Sequence, residues 1–309
     1  MPGIEISDTT QVPLQPQLPS KGSAEPEKFP LDGHDTSQVS NETLIGLLET
    51  APVVHDFGGT WIVRLSQTLI LKGGERTQPG EAHMLSFIAK ADKKSEIRAP
   101  RVHRVLNINR DNSWEMWNCL IVMDFIHGTT VDRCWDDLSQ EKRLDVVTQV
   151  ASMLDTLHSI PLPEGYQSLP GPVGEPRCLA YGYMFFDEGA GPFSSTRELE
   201  AWFDGRLEVG RLFKRVPDDI PPFRFDKLVL THQDVMPRNL ILDGEGLVWL
   251  IDWGNSGIYP DGFDYVGIKK KRSFGPQFVD MLLEKIPSYE DLYEQMRHIV
   301  WGLTTGRYL

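Results

Sequence analysis

The chain has 309 residues, 40% hydrophobic and 24% charged, which fits a soluble globular protein large enough for two lobes around a sizeable core. Its net charge of −13 argues against nucleic acid as a partner; it is compatible with a cationic substrate such as an amino alcohol and equally with plain solubility. No apolar run approaches the roughly 18 residues of a membrane span, so no membrane partner is expected.

In chain order, Pro2, Pro13, Pro16, Pro19, Pro26 and Pro30 punctuate a polar segment that cannot bury enough to offset its ordering entropy, so residues 1–40 are expected as a disordered or loosely packed tail. Ser40 then precedes Leu44, Ile45, Leu47 and Leu48, a short amphipathic helix. The runs 60–65 and 68–72 read as strands, the second ending at Lys72. Ahead of them, Gly58 and Gly59 before Thr60 permit a tight turn, whose N–H groups either face phosphate oxygens or simply close a hairpin. Glu81 opens a helix striped by Met84, Leu85, Phe87 and Ile88. An apolar strand over 119–123 leads into Asp124-Phe125-Ile126-His127-Gly128.

Ser139 caps a predicted helix over 140–158, with Leu144, Val147, Val150 or Ala151, Leu154 and Leu157 on its core face and His158 as a capping or packing residue. Pro161 and Pro163 end it, and the Gly- and Pro-rich stretch 170–192 is expected as an ordered loop over a cleft. Ser195-Thr196-Arg197-Glu198 is a capping box, opening a helix that carries Leu199, Trp202, Phe203, Leu212 and Phe213. A short buried strand over 227–230 delivers His232 and Asp234 to a loop that Pro237 keeps from becoming helical. Strand-like runs 240–242 and 247–251 flank the turn Asp243-Gly244-Glu245-Gly246. That hairpin folds Asn239 back towards Asp252, two oxygen donors of the kind a hard cation requires. The basic run Lys269-Lys270-Lys271-Arg272 is expected to cap a helix end or face water, and one or two helices follow over 278–302. Cys119, Cys134 and Cys178 are widely spaced with no Cys-x-x-Cys, and the start Met1-Pro2-Gly3-Ile4-Glu5 lacks a basic segment before an apolar one; both point to a cytoplasmic protein with reduced thiols.

Asp234, then Asn239, then Asp252-Trp253-Gly254 behind the hairpin is the layout of a kinase catalytic loop and its metal-binding turn. In that layout Asp234 accepts a proton from a substrate hydroxyl, while Asn239 and Asp252 hold the Mg²⁺ that bridges ATP phosphates. With Met236-Pro237-Arg238-Asn239, Gly191-Pro192-Phe193-Ser194-Ser195 and Gly257-Ile258-Tyr259-Pro260, the chain resembles the aminoglycoside phosphotransferase and choline kinase group of kinase-fold enzymes, most of all its fungal branch, over about residues 53–270.

The resemblance implies an α+β, bilobal protein-kinase-like fold: a small N-terminal antiparallel-sheet lobe over 41–127 that binds nucleotide, and a larger, mainly helical catalytic and substrate lobe over 128–309. It implies that Lys72 touches the ATP phosphates, that Glu81 orients it, that Gly58, Gly59 and Thr60 cover the phosphates, and that Met123 with the Asp124 carbonyl and the Ile126 N–H meets the adenine. His232 is then structural, and Arg238 either shapes the loop through a salt bridge or touches phosphate. The implied reaction is ATP- and Mg²⁺-dependent transfer to a hydroxyl of a small molecule, by a monomer or weak dimer. Asp187, Glu188, Asp204, Glu208 and Asp261 are acidic candidates for the acceptor site, while Trp135, Trp202, Trp249, Trp253 and Trp301 either pack the core or line an apolar cleft. Two rival readings stay open: a pseudokinase-type binding or regulatory protein, and a biosynthetic enzyme that activates a hydroxyl for elimination or cyclisation.

Overall fold

A computed structural model describes residues 28–107, 119–185 and 189–306 of the chain. Of the expected tail, 1–27 lie outside this set, as do Asp187 and Glu188. The remainder of that tail is not loose: Phe29 and Leu31 are buried, and the Leu31 N–H donates to the Leu65 carbonyl at 2.8 Å. Arg64 supplies the reason. Its guanidinium lies 3.1 Å from the centroid of the Phe125 ring and 4.8 Å from that of Phe29, so an aromatic residue before the first helix finds a partner on the sheet.

Helix α1 (Asn41–Thr50) begins where expected, with Ser40 Oγ accepting the Thr43 N–H at 3.2 Å, a cap whose loss costs about 1 kcal/mol. Strands β1 (Val53–Phe57), β2 (Thr60–Arg64), β3 (Leu69–Gly73), β4 (Val102–Asn107) and β5 (Cys119–Asp124), with helix α2 (Pro79–Ala91) between β3 and β4, complete the smaller lobe. The five strands pair antiparallel in the order β1-β2-β3-β5-β4. Strand β5 is buried on both faces, and this sets the layering. Leu120 and Val122 join Leu44 and Leu48 of α1 in one cluster, while Cys119, Ile121 and Met123 join Met84, Leu85 and Ile88 of α2 in another. Full burial of each such leucine stabilises by roughly 1.5–3 kcal/mol.

The larger lobe contains β6 (Thr129–Thr130), α3 (Val131–Cys134), α4 (Gln140–Ser159), α5 (Thr196–Leu212), β7 (Leu228–Thr231), β8 (Leu240–Leu242), β9 (Val248–Leu250), β10 (Gly257–Pro260), α6 (Phe263–Lys270), α7 (Pro276–Leu283), α8 (Glu290–His298) and α9 (Val300–Leu303). The second cluster continues into this lobe through Val150, Met153 and Leu157 of α4, so the two lobes share one core. Helix α4 is turned slightly from its expected face: Val146 and Met153 are buried, and Leu144 is 48% exposed. Arg143 takes the inward side of the first turn, donating to the Trp135 carbonyl at 3.0 Å and to Gln277 Oε1 at 2.9 Å. Around α5 an aromatic cluster of Phe185, Phe193, Phe203, Phe223, Tyr259 and Phe263 forms a separate core.

The stretch 170–178 ties the lobes together. Gly171 pairs with Ile258 of β10, and the Val173 N–H reaches Met84 Sδ of α2 at 3.4 Å. Gly174 has φ +127, and a Cβ there would sit 2.1 Å from His83 Nδ1, so only glycine lets the segment lie flat on α2. Replacing Gly174 by Ala is expected to destabilise the fold by about 1–3 kcal/mol, read as a thermal unfolding midpoint lowered by several degrees; an unchanged midpoint removes this contact from the account.

Candidate active site

Strand β7 ends at Thr231, and the chain then turns through Gln233, held at φ +63. A backbone in this region needs outside support, and a buried carboxylate provides it. Asp264, in the first turn of α6 and 1% exposed, accepts the N–H groups of His232 (3.1 Å) and Gln233 (2.6 Å), and also His158 Nε2 of α4 (2.8 Å). The next N–H, that of Asp234, donates to His232 Nδ1 at 3.2 Å. His232 therefore carries its proton on Nε2, which donates to the Ile251 carbonyl at 3.1 Å. Burial pushes the pKa of this imidazole down and keeps it neutral, and its ring stands edge-on to Trp253 at 4.6 Å. The structural role expected for His232 is the one observed.

Asn239 Nδ2 donates to the Asp234 carbonyl at 2.9 Å, which leaves the amide oxygen as its donor atom for a cation. The hairpin of β8 and β9 pairs Leu240 with Leu250, and the Ile251 N–H donates to the Asn239 carbonyl at 2.9 Å, so Asn239 and the turn at Asp252 are neighbours. Asp252 sits at φ +62 with its side chain 48% exposed to the cleft. One of its oxygens contacts Lys72 Nζ of β3 at 2.8 Å, and the same ammonium contacts Glu81 of α2 at 2.8 Å. Burial opposes the charge of Lys72, but Asp252 and Glu81 outweigh it and hold the ammonium more firmly than in free lysine. Lys72 in turn holds the Asp252 carboxyl well below the usual carboxylate range. Asn239 and Asp252 offer hard oxygen donors, which suit Mg²⁺.

The remaining expected residues are placed as follows. Gly58 and Gly59, with φ +64 and +76, form the two-residue turn between β1 and β2, closed by the Phe57–Thr60 pair, and the Gly59 carbonyl accepts the Arg76 N–H at 3.2 Å. Met123 is buried on the inner face of β5. Asp124 ties β5 to β4, its N–H donating to the Arg101 carbonyl at 3.0 Å and its carboxylate meeting His103 at 2.6 Å. Ile126 follows, half-buried, in the connection between the lobes. Of the acidic candidates among the described residues, Asp204 accepts the Phe223 N–H (2.6 Å), Glu208 pairs with Arg211 (2.5 Å), and Asp261 pairs with Lys227 (3.1 Å) and Tyr289 (2.7 Å). The five tryptophans pack or hydrogen-bond locally, as Trp135 does against Phe278 and Trp301 against Phe213.

Asp234 itself is gripped by two cations. Arg238 Nη2 lies 2.7 Å from both carboxylate oxygens, the salt bridge expected of it. The second cation is Lys271, and this corrects the expectation that the basic run caps a helix or faces water. Lys271 is 1% exposed and donates to Asp234 Oδ1 at 2.5 Å and to the Gln233 carbonyl at 3.0 Å. Its neighbours diverge: Lys269 pairs with Glu290, Lys270 reaches the Tyr183 carbonyl, and Arg272 pairs with Asp280. No local pattern marks one lysine among these four cations; only the seating of α6 over the loop selects it. For the same reason nothing in the sequence marks Asp264 as the partner of His158, itself expected as a capping or packing residue: the two lie 106 residues apart. Burial tends to raise the Asp234 pKa, but Lys271 and Arg238 outweigh it and lower it below the usual carboxylate value.

The model of the phosphotransferase enzyme family matches residues 52–299. No curated protein sequence matches the chain. Solved structures do. The ADP-bound aminoglycoside phosphotransferase APH(2'')-Ib superposes with a TM-score of 0.52 at 13% identity, over 86% of this chain and 92% of that one. The gentamicin complex of APH(2")-IIa gives 0.53 at 13% identity, covering 87% and 90%. The GDP complex of aminoglycoside 2'-phosphotransferase-IIIa gives 0.53 at 10% identity, covering 83% of each. At such identities these likenesses speak for the fold alone, and they bear out the bilobal kinase-like α+β architecture.

The pair His158–Asp264 carries a pH signature. Burial opposes charge on both, yet their contact raises the pKa of His158 and lowers that of Asp264. The His158 contribution is complete below the ordinary histidine value of 6.5 and is lost as pH rises through its raised folded value; that of Asp264 is present above 3.8 and is lost as pH falls through its depressed one. Thermal stability is therefore expected to decline on the alkaline side of 6.5 in the wild type and to decline less in His158→Gln. An equal decline in both assigns the effect to another group.

Proposed function

The chain belongs to the phosphotransferase enzyme family and is a small-molecule kinase by that membership, and we propose that it moves the γ-phosphoryl group of ATP to a hydroxyl of its acceptor with Mg²⁺. The observation that carries this reading is the double contact of Lys72, 2.8 Å from Glu81 and 2.8 Å from Asp252, residues brought together from both lobes. On this reading Lys72 holds ATP phosphates, and Asn239 and Asp252 hold the cation. When bound, Mg²⁺ would supply neutralisation of the phosphate charge.

The acceptor oxygen attacks the γ-phosphorus, the bond from that phosphorus to the β,γ-bridging oxygen breaks, and ADP leaves with the electron pair. The acceptor proton passes to Asp234. With its pKa lowered by Lys271 and Arg238, Asp234 is a weak base, so it chiefly orients the hydroxyl and takes the proton late. That suits a loose transition state, in which the nucleophile needs alignment more than early deprotonation. Among the described residues, Arg238 and Lys271 contact Asp234, and the Tyr183 ring covers Lys271. The gentamicin complex of one fold relative directs attention to hydroxylated natural products as acceptors.

Calorimetry and a transfer assay test this together. Asp234→Asn is expected to slow transfer by about 100-fold or more while MgATP still binds. Asp252→Ala is expected to lose the Mg²⁺-dependence of ATP binding. A wild-type protein that binds no nucleotide at millimolar ATP sinks the reading, and one that releases phosphate with a dehydrated product is a biosynthetic enzyme instead.

A further inference from the structure

Lys271 is costly to keep where it is. Taking an ammonium out of water is unfavourable, and a buried pair seldom repays the desolvation in stability. Nor does charge balance require it, because Arg238 already reaches both oxygens of Asp234 at 2.7 Å. Its position has another property. A single ammonium donates to the carbonyl of Gln233 and to the carboxylate of Asp234, so it fixes the side chain relative to the backbone that carries it.

The two cations also differ in exposure. The side chain of Arg238 is 44% exposed and lies on the open side of the loop, whereas that of Lys271 is 1% exposed, with the Tyr183 ring centroid 4.2 Å from its Nζ. An incoming phosphate competes with Asp234 for the exposed guanidinium. It does not compete for an enclosed ammonium. Resting on the phosphotransfer reading above, we propose that Lys271 is a positioning residue, the one that keeps the Asp234 carboxylate aimed at the acceptor hydroxyl once the nucleotide is in place.

The test needs no knowledge of the natural acceptor. Transfer from MgATP to water and to concentrated glycerol is measured as phosphate and phosphoglycerol, with MgATP binding by calorimetry and thermal unfolding alongside, in wild type, Lys271→Met and Lys271→Ala. Both variants are expected to transfer at least about tenfold more slowly while binding MgATP within about twofold of wild type, because misplacing a reacting group costs rate more than ground-state affinity. Added ethylammonium is expected to restore transfer in Lys271→Ala by refilling the vacated space, an effect that a merely structural lysine would not produce. Normal rates, or slowing that follows weakened MgATP binding with no amine rescue, overturn the proposal. Should both variants unfold, Lys271→Arg keeps the cation and changes its reach; a normal rate there overturns it equally. A wild type that binds no MgATP removes the phosphotransfer reading itself.

Discussion

The loop that carries Asp234 exists in its observed shape because Asp264 is buried beneath it. Three successive N–H groups, from His232 to Asp234, point away from any strand partner, and a buried backbone donor left unpaired is expensive. Asp264 takes the first two and the His232 ring takes the third. Gln233 can then sit at φ +63, and the chain reverses sharply enough to present Asp234 beside Asn239. His158 neutralises Asp264 from α4, so the longest helix of the lobe is wired to the loop through one carboxylate.

What could be read from the sequence divides along a physical line. Features specified by neighbouring residues were legible. Ser40, Ser139 and Ser195 cap their helices, the Asp243 turn closes its hairpin, and the spacing from Asp234 to Asn239 and Asp252 survives folding because one short hairpin sets it. Features that depend on which elements meet were not. Lys271 differs from Lys269 and Lys270 only in the direction that the end of α6 faces, and Leu144 lost its core place to Arg143 because Trp135 and Gln277 happen to lie opposite. The packing of Phe29 and Leu31, within the expected tail, was not legible for a related reason. Its proline content is a property of the whole segment, but Phe29 and Leu31 respond to Arg64 and Leu65 across space.

The two lobes are more closely joined than a hinge and a cleft suggest. Strand β5 runs into the inter-lobe connection, the core of α2 continues into α4, and the 170–178 segment lies on α2 from the far lobe. Glu81 belongs to that helix, so the ion pair that orients Lys72 rests on contacts from both sides of the cleft.

The stack of Phe29, Arg64 and Phe125 has a mechanical consequence. Phe125 belongs to the strand-to-lobe connection, Arg64 to the end of β2, and Phe29 to a segment ahead of the first helix. Asp32 fastens that segment further, accepting the N–H groups of Phe29 and Gln67 at 2.8 Å each. The chain's early residues therefore splint the pivot about which the lobes would swing. A deletion placed at the proline-rich boundary near residue 40 would strip one face from the guanidinium and slacken that pivot, so a unit that keeps the stack includes Phe29.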